Sequence, residues 1–439
     1  MHERTEARVD WLESRLADFA GAATTALGLP PATQPLHVAS SDPVIVAGRV
    51  VSEADAGAGR LSATSVLLEG SHQHSAGARV RLELQRLPHH SLFPGQCVLV
   101  RGANPSGFCL VADALVTGVA LPPPAPAALP HDLTIVAAAG PFTCAGDTLY
   151  EPLHELLAYC VSTQPAALVL CGPFVDAEHP LCAAGSVGTT FDELFATKLL
   201  GPLTDFAASN PDVAVVLQPA GGREAHHVPV FPTPPLKLDG LAHLACAANP
   251  DVVELRASDG AAALQLGVCA TDVIKALSST EVCTLSTPSA VPATDDGFEP
   301  DRLARLCGHV LGQQCFFPVF PAPPGACLDA THAATGLAMT HAPHVLLLPS
   351  DLAPFARAVT TCVRGAQAAG GGDAMRVDGD DATAASWFAA PAGQAAQHAA
   401  VCVNPGRLAR GNLGGTFAVV TVQHAEPLSS GVRVDIVRV

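Results

Sequence analysis

The chain has 439 residues, enough for two or three domains with cores of their own and too many for a small fold held by staples. With 49% hydrophobic residues, 14% charged residues and 38 each of Gly and Pro, it is globular and rich in turns, short of the bias that marks low-complexity disorder. A net charge of −17 argues against direct nucleic-acid binding, which calls for a basic face.

In MHERTEARVDWLESRLADFA, charges stand where a secretion signal would hold its apolar core, so a cytosolic or nuclear protein is expected. Val9, Leu12, Leu16 and Phe19 recur at helical spacing and predict an amphipathic helix ending near Gly21. From 36 to 118 the pattern changes to β-type runs, VIVAGRVV, ATSVLLEG, ARVRLEL, QCVLVRG and FCLVADAL, separated by Gly, Ser, His and Pro clusters. Five such runs predict a small barrel. LPPPAPAALP (121–130) fits neither helix nor central strand and reads as an extended crossing between packed domains.

Beyond it, apolar strands alternate with helical patterns. LTIVAAAG (133–140) precedes a helix around Leu149, Leu153, Leu156 and Leu157. AALVLCG (166–172) precedes one through Phe191, Leu194, Phe195 and Leu199, and VAVVLQ (213–218) follows. Continuous apolar runs between helices belong to strands covered on both faces, so an α/β sandwich is predicted. None of these runs approaches the roughly 18 apolar residues that span a bilayer, so no membrane partner is expected. Residues 280–300 and 365–399 lack periodicity and read as mobile surface loops. The fourteen Cys lie eight or more positions apart, which leaves no CxxC metal knuckle and no dense disulfide framework.

Strand ends are where an α/β domain builds a site. Here they carry AAGPFT (138–143), CGPFVDAEH (171–179), QPAGGREAHH (218–227) and VCVNPGRL (401–408). In this order they resemble the calcineurin-like metallophosphoesterases, whose active members bear the ligands of two metals at the same strand ends. The resemblance puts Gly140 and Phe142 at the first ligand position, Pro173 at the bridging carboxylate, Asp176 beside it, Glu224 near the third and Asn404 at the last. Pro and Phe offer no donors, so the resemblance implies a vestigial site without metal, cofactor or catalysis.

That loss, with an OB-like barrel in front, resembles the B-subunit family of DNA polymerase alpha. The motifs are SVLLEGSHQHSAGARVRLEL (65–84), SLFPGQCVLVRGANPSG (91–107), LVLCGPFVDAEHP, HHVPVFPTPP (226–235), FFPVFPAPP (316–324), VLLLPSDL (345–352) and VCVNPGRLARGNLGGTFA (401–418), spread in order from about 36 to 420. The small N-terminal helical domain and long linker usual in the family are not expected in this stretch, and the 365–399 loop reads as expanded. The resemblance implies an N-terminal helix and connector (1–35), an OB-fold barrel (36–120), a Pro-rich crossing (121–130) and an inactive phosphoesterase-like α/β sandwich (131–439). It implies a nuclear, non-catalytic scaffold of the primosome. Such a scaffold binds the C-terminal domain of the DNA polymerase alpha catalytic subunit and meets the primase subunits indirectly. The delta and epsilon B subunits share the architecture, but the GPFVD and NPGRL contexts favour alpha.

Residues 121–439 hold 29 acidic and 14 basic side chains, a balance that favours a basic protein partner over DNA. Candidate partner-binding residues are His226, His227, Val230, Phe231, Phe316, Phe317, Phe320, Arg407 and Arg410. The Phe-bearing segments serve equally well as braces between domains. Arg407 is expected to pair internally with Asp176 or Glu224 across the vestigial site, with a partner-facing role as the alternative.

His226-His227, His89-His90 and His72/His74 are read as turn or capping residues, since a metal needs three or four convergent donors. Asp378, Asp380 and Asp381 resemble a calcium-loop fragment that lacks its closing Glu. A single-strand DNA groove in the barrel would need exposed aromatics and positive charge. Residues 36–118 offer only Phe93 and Phe108, both expected in the core, and balance six Arg against six carboxylates. An active metal-dependent phosphoesterase is the remaining rival.

Overall fold

A computed structural model describes residues 4–30, 34–52, 61–62, 64–124, 129, 131–238, 241, 243–256, 264–285, 298–368, 398–424 and 431–439. The N-terminal helix spans Thr5–Leu27 and buries Trp11, Leu12, Leu16, Phe19 and Ala23 along one stripe. It continues past Gly21 because the apolar stripe does, and it stops at Gly28, whose left-handed conformation (φ 62°) returns its N–H to the carbonyls of Thr24 and Thr25. Each fully buried side chain of this stripe contributes about 1.5–3 kcal/mol, which anchors the helix to the body behind it.

Strands Ser40–Ser52, Val66–Glu69, Arg79–Glu83, Cys109–Gly118 and Cys97–Asn104 pair in that spatial order and close on Ser40–Ser52, forming the OB-fold barrel. Alternation sends Val46, Val50, Leu68, Val80, Leu82, Val98, Val100 and Leu110 inward. Cys97, Leu99 and Val116 face outward and carry Leu16, Phe19 and Ala23 of the N-terminal helix. Phe93 is buried as expected, but Phe108 is not: it sits at the tip of a turn, 79% exposed.

Two sheets form the sandwich. In one, Leu244–Cys246, Ala214–Gln218, Ala167–Cys171 and Leu133–Ala139 run parallel, and Thr416–Val422 and Val432–Arg438 add antiparallel strands. The other orders Asp251–Leu255, Leu264–Val268, Val345–Leu347, Ala399–Asn404 and Phe355–Thr360. Ile135, Ala137, Val169 and Val216 meet Leu266, Val345 and Val403 between the sheets. Their strand neighbours Val136, Ala138, Leu168 and Leu170 point the other way, under the helices Glu151–Thr163 and Gly201–Ser209. The outer face of the second sheet is covered by Val273–Thr280 and Arg302–Gly312, and the same apolar cluster takes in Trp11 and Leu12 of the first helix and Phe93 of the barrel. Leu149, expected in a helix, lies just before one and is exposed.

Two segments read as surface loops contribute strands to the barrel layer. Val282–Leu285 pairs with His89–Leu92, and Arg364–Gln367 pairs with Cys109–Gly118. The rest of both loops, 286–297 and 369–397 with Asp378, Asp380 and Asp381, lies outside the described residues, as do 125–128 and 130 of the crossing. Leu121, at the start of the crossing, is buried, and the carbonyl of Pro122 accepts from Ala342 N–H at 2.9 Å.

The seam between barrel and sandwich is polar at its centre. Gln313 donates to the carbonyls of Cys97 (2.8 Å) and Thr117 (2.9 Å) and accepts from Cys97 N–H (2.8 Å). Beside it, Gly118 and Gly312 approach so closely that a Cβ on Gly312 would lie 3.0 Å from the Gly118 Cα. The Glu281 carboxylate accepts from Ser91 Oγ (2.6 Å), Arg305 Nε (2.7 Å) and His309 Nε2 (3.2 Å). Burial works to raise its pKa, but these partners hold it at about 2. His89 and His90, read as turn residues, lie buried in a strand of this seam.

Candidate functional site

The strands Leu133–Ala139 and Ala167–Cys171 run into Gly140-Pro141 and Gly172-Pro173, where both X-Pro bonds are cis. The two turns abut directly: a Cβ on Gly140 would strike the Pro173 carbonyl. Behind them the fully buried rings of Phe142 and Phe174 stack with centroids 5.5 Å apart, and Tyr150 Oη donates to the Phe174 carbonyl at 2.9 Å. Apolar packing thus fills the place where ligands of a first metal would project.

The polar residues around these turns are held by one another. Asp176 is gripped by both ends of the Arg223 guanidinium, at 2.6 Å (Nη2 to Oδ2) and 3.3 Å (Nε to Oδ1), and accepts from Glu178 N–H at 3.0 Å. Burial alone would lower the Arg223 pKa, but the Asp176 carboxylate raises it. Glu224 accepts from the backbone N–H groups of Phe174 (2.8 Å) and Val175 (2.9 Å). The His226 ring stacks on Phe195 at 4.0 Å, with Nδ1 3.2 Å from Glu224 Oε1 but not aligned as a hydrogen bond. Asn404 engages its whole amide: Oδ1 accepts from Ser350 and Gly406 N–H at 2.9 Å each, and Nδ2 donates to Leu352 and Ala353 carbonyls at 3.3 and 3.2 Å.

Arg407 corrects the expectation made for it. It pairs internally, but with Asp351 (Nε to Oδ1, 2.9 Å) and Asp272 (Nη2 to Oδ2, 3.6 Å), because Arg223 already neutralises Asp176 and backbone amides satisfy Glu224. Asp351 also takes Lys275 Nζ at 2.7 Å, its own N–H donates to Asp272 at 2.8 Å, and its carbonyl accepts from Arg410 at 2.9 Å. Burial pushes the Asp351 carboxyl up, yet Lys275 and Arg407 bring it down to about 2. These side chains line a cleft of about 290 Å³ bordered by Pro173, Arg223, Asp272, Lys275, Asp351 and Arg407.

A binuclear centre requires nitrogen and oxygen donors free to face two ions. Here Asn404 and Glu224 are taken up by the backbone, Asp176 by a guanidinium, and Phe142 and Pro173 have nothing to give. Among the described residues no three His, Cys, Asp or Glu side chains converge as a metal-holding group. The residues present do not fit two metal ions.

The fold therefore brings Gly140, Phe142, Pro173, Asp176, Glu224, Asn404 and Arg407 to one place, as the strand-end motifs implied. It separates the partner-binding candidates. Phe231, Phe316 and Phe317 are buried, with Phe231 and Phe317 edge to face at 5.5 Å, so of their two open roles the bracing one fits. Phe320 is half-buried against Trp11, 5.9 Å away, and its N–H donates to the Pro94 carbonyl at 3.0 Å, joining sandwich, helix and barrel. Val230 is half-buried, and His227 Nε2 donates to the Pro234 carbonyl at 2.9 Å. Arg410 is exposed at the cleft rim. Sequence reasoning missed Asp272, Lys275 and Asp351. The two aspartates carried the same signal as the others, a carboxylate just past an apolar strand, in VCATD and VLLLPSD; Lys275, on the helix Val273–Thr280, carried none.

A closed OB barrel joined to a two-sheet α/β sandwich, with a strand-end cleft bridged by ion pairs, is the architecture in which the family has to be sought. Residues 135–357 match the family of DNA polymerase alpha/epsilon B subunits, and residues 10–118 match the OB domain of the DNA polymerase alpha B subunit. The chain belongs to the DNA polymerase alpha/epsilon B-subunit family, and its barrel is of the alpha type. It is similar to the DNA polymerase alpha B subunit of Mus musculus, at 28% identity over 386 residues covering 87% of this chain and 55% of the mouse protein. The Drosophila melanogaster protein is 33% identical over 318 residues, covering 72% and 48%. That of Schizosaccharomyces pombe is 31% identical over 350 residues, covering 74% and 56%. The chain spans about half the length of these curated relatives.

Proposed function

We propose that the chain is a non-catalytic scaffold of the nuclear polymerase alpha–primase assembly, which binds the C-terminal domain of the catalytic subunit at the start of DNA synthesis. Primase is then reached through the complex. The observation that carries this reading is the strand-end cleft: Arg223, Lys275 and Arg407 occupy it as cations, and Asp176, Asp272 and Asp351 are bound to them rather than left open for metal. Metal-dependent phosphodiester hydrolysis at this place would need donors that these pairings already engage. Family membership supplies the replication context.

Direct DNA binding contributes little in this reading. The barrel region balances its charges, and of its two Phe residues only Phe108 is exposed, too few for a stacking platform. No helix among the described residues is long and apolar enough to cross a membrane. The test is to purify the full chain with and without the polymerase catalytic subunit. A stoichiometric complex, together with no manganese- or zinc-dependent hydrolysis of a phosphodiester, is the expected result. Metal-dependent turnover abolished by Asp176→Ala would overturn the non-catalytic assignment, and failure to associate would overturn the scaffold.

A further inference from the structure

We propose that the edge strand Val432–Arg438 is an interface between two copies of this chain, in which it pairs antiparallel with itself about a two-fold axis through Val434.

The strand closes one side of its sheet. Its inner neighbour is Thr416–Val422, and among the described residues no strand pairs with its other side. Such edges are commonly blunted by shortness, proline or a bulge. The opposite edge of the same sheet, Leu244–Cys246, is only three residues long. Val432–Arg438 is seven residues long, reads VRVDIVR without Pro or Gly, and keeps an unbroken register with Thr416–Val422.

The bonds just beyond its two ends fix which backbone groups face outward. Gln423 N–H donates to the Gly431 carbonyl at 2.8 Å, and Val439 N–H donates to the Gly415 carbonyl at 3.1 Å. Odd-numbered residues therefore turn toward Thr416–Val422, and Val432, Val434, Ile436 and Arg438 present their N–H and C=O groups to the open side. On one face of the strand Val432 and Val434 pack half-buried against the apolar layer between the sheets, and Ile436 is 37% exposed. On the other face Arg433 and Asp435 are exposed, with Nε and Oδ2 3.0 Å apart.

The side chains select both the partner and the register. With Val434 opposite Val434, Val432 meets Ile436 on each side of the axis, which makes one row wholly apolar. Arg433 then meets Asp435 of the second copy twice, at the more closely spaced positions of an antiparallel pair. An axis at Asp435 would set two aspartates face to face, one at Arg433 would set two arginines face to face, and one at Ile436 would leave Asp435 opposite Val437. The strand is thus its own complement in one register, the requirement for a contact that uses the same patch on both copies. Seven residues a side fall short of the roughly 1,200–2,000 Å² of a tight interface, so the association is weak and concentration-dependent. A charge of −17 on each copy opposes it further at low salt.

Sedimentation velocity of the full chain at physiological salt should show a dimer that grows in across the micromolar range. Val434→Pro removes the central outward N–H without touching the bonds to Thr416–Val422, and should abolish the dimer with the melting temperature in place. Arg433→Asp and Asp435→Arg should each abolish it in the same range. The double variant Arg433→Asp/Asp435→Arg, and an equimolar mixture of the two single variants, should restore it. A chain that stays monomeric throughout, or a dimer that survives both single charge reversals, overturns the proposal. If the unaltered chain stays monomeric while Val434→Pro weakens binding to the catalytic subunit, a strand of that subunit is the occupant and self-pairing is overturned. Hydrogen exchange on the unaltered chain covers variants that fold poorly: the amides of Val432, Val434 and Ile436 should slow as protein concentration rises, and exchange there that is independent of concentration overturns the proposal.

Discussion

Arg407 Nε stands 2.9 Å from Asp351 Oδ1, so a guanidinium and a carboxylate from two strand-end turns close on each other across the cleft. Lys275 and Asp272 complete the cluster. Removing the buried arginine leaves two carboxylates short of a counter-charge. A fully buried pair broken in this way costs about 3–5 kcal/mol, and the part-exposed Asp351, which keeps Lys275, lowers that to about 2. Arg407→Ala should therefore lower the melting temperature, as measured on the chain without partners. Because the folded Asp351 carboxyl lies at about 2, below its ordinary value, its contribution is complete above the ordinary carboxylate range and is lost as pH falls toward 2. In Arg407→Ala that acid-labile portion should shrink, as read from urea unfolding across the acidic range.

Gln313→Leu should loosen the seam. It deletes two donors and one acceptor that serve the barrel backbone at Cys97 and Thr117, and each buried group left without a partner costs about 1–3 kcal/mol. A loss of about 3 kcal/mol is expected in urea unfolding. Gln313→Glu should fail to rescue, since a carboxylate cannot donate to the two carbonyls.

His90 should make stability fall in mild acid. Its ring is buried with neither nitrogen hydrogen-bonded, and burial, reinforced by His89, lowers its pKa to about 4. His309, Arg305, Arg364 and Glu299 line the same small cavity. The unfolded chain takes up a proton near pH 6.5 that the folded chain refuses, so stability is complete above that value and drops as pH falls toward 4. The loss reaches about 3 kcal/mol at one unit per 1.36 kcal/mol. His90→Phe should flatten the slope of stability against pH between 6.5 and 4, and an unchanged slope would assign that acid sensitivity to other groups.

A fragment of residues 1–120 should not fold as the barrel does in the whole chain. It lacks Val282–Leu285, Arg364–Gln367 and the Gln313 side chain, and Trp11 and Leu12 lose the sandwich surface they cover. Circular dichroism and amide exchange of the fragment should show a loosened β structure with rapid exchange at 109–118.

The strand-end site was legible because its signal is local. An apolar run followed by Gly-Pro, or by Asp and Arg, marks a strand and the turn after it, and the fold brings such turns together. Register and pairing were not legible in the same way. VCTL (282–285) and RGAQ (364–367) are short and weakly apolar, and they become strands only because His89–Leu92 and Cys109–Gly118 offer open hydrogen-bonding edges. The partners of Arg407 were missed for a related reason. Three carboxylates and three cations meet at the cleft, and the choice among pairings depends on which backbone amides have already satisfied Glu224. Phe108 went astray because a lone aromatic in a strand-like run carries no sign of which side of a turn it occupies.

The late return of the chain to the barrel has a consequence for its synthesis. Arg364–Gln367 pairs with the second half of Cys109–Gly118, about 250 residues upstream. At roughly 5–20 residues per second, the ribosome takes about 10–50 s to deliver the strand that covers this edge. Throughout that interval the nascent barrel displays an unpaired strand edge, the feature most prone to pair with a neighbouring chain. Half-made copies on one polysome would therefore meet through the free edge of Cys109–Gly118.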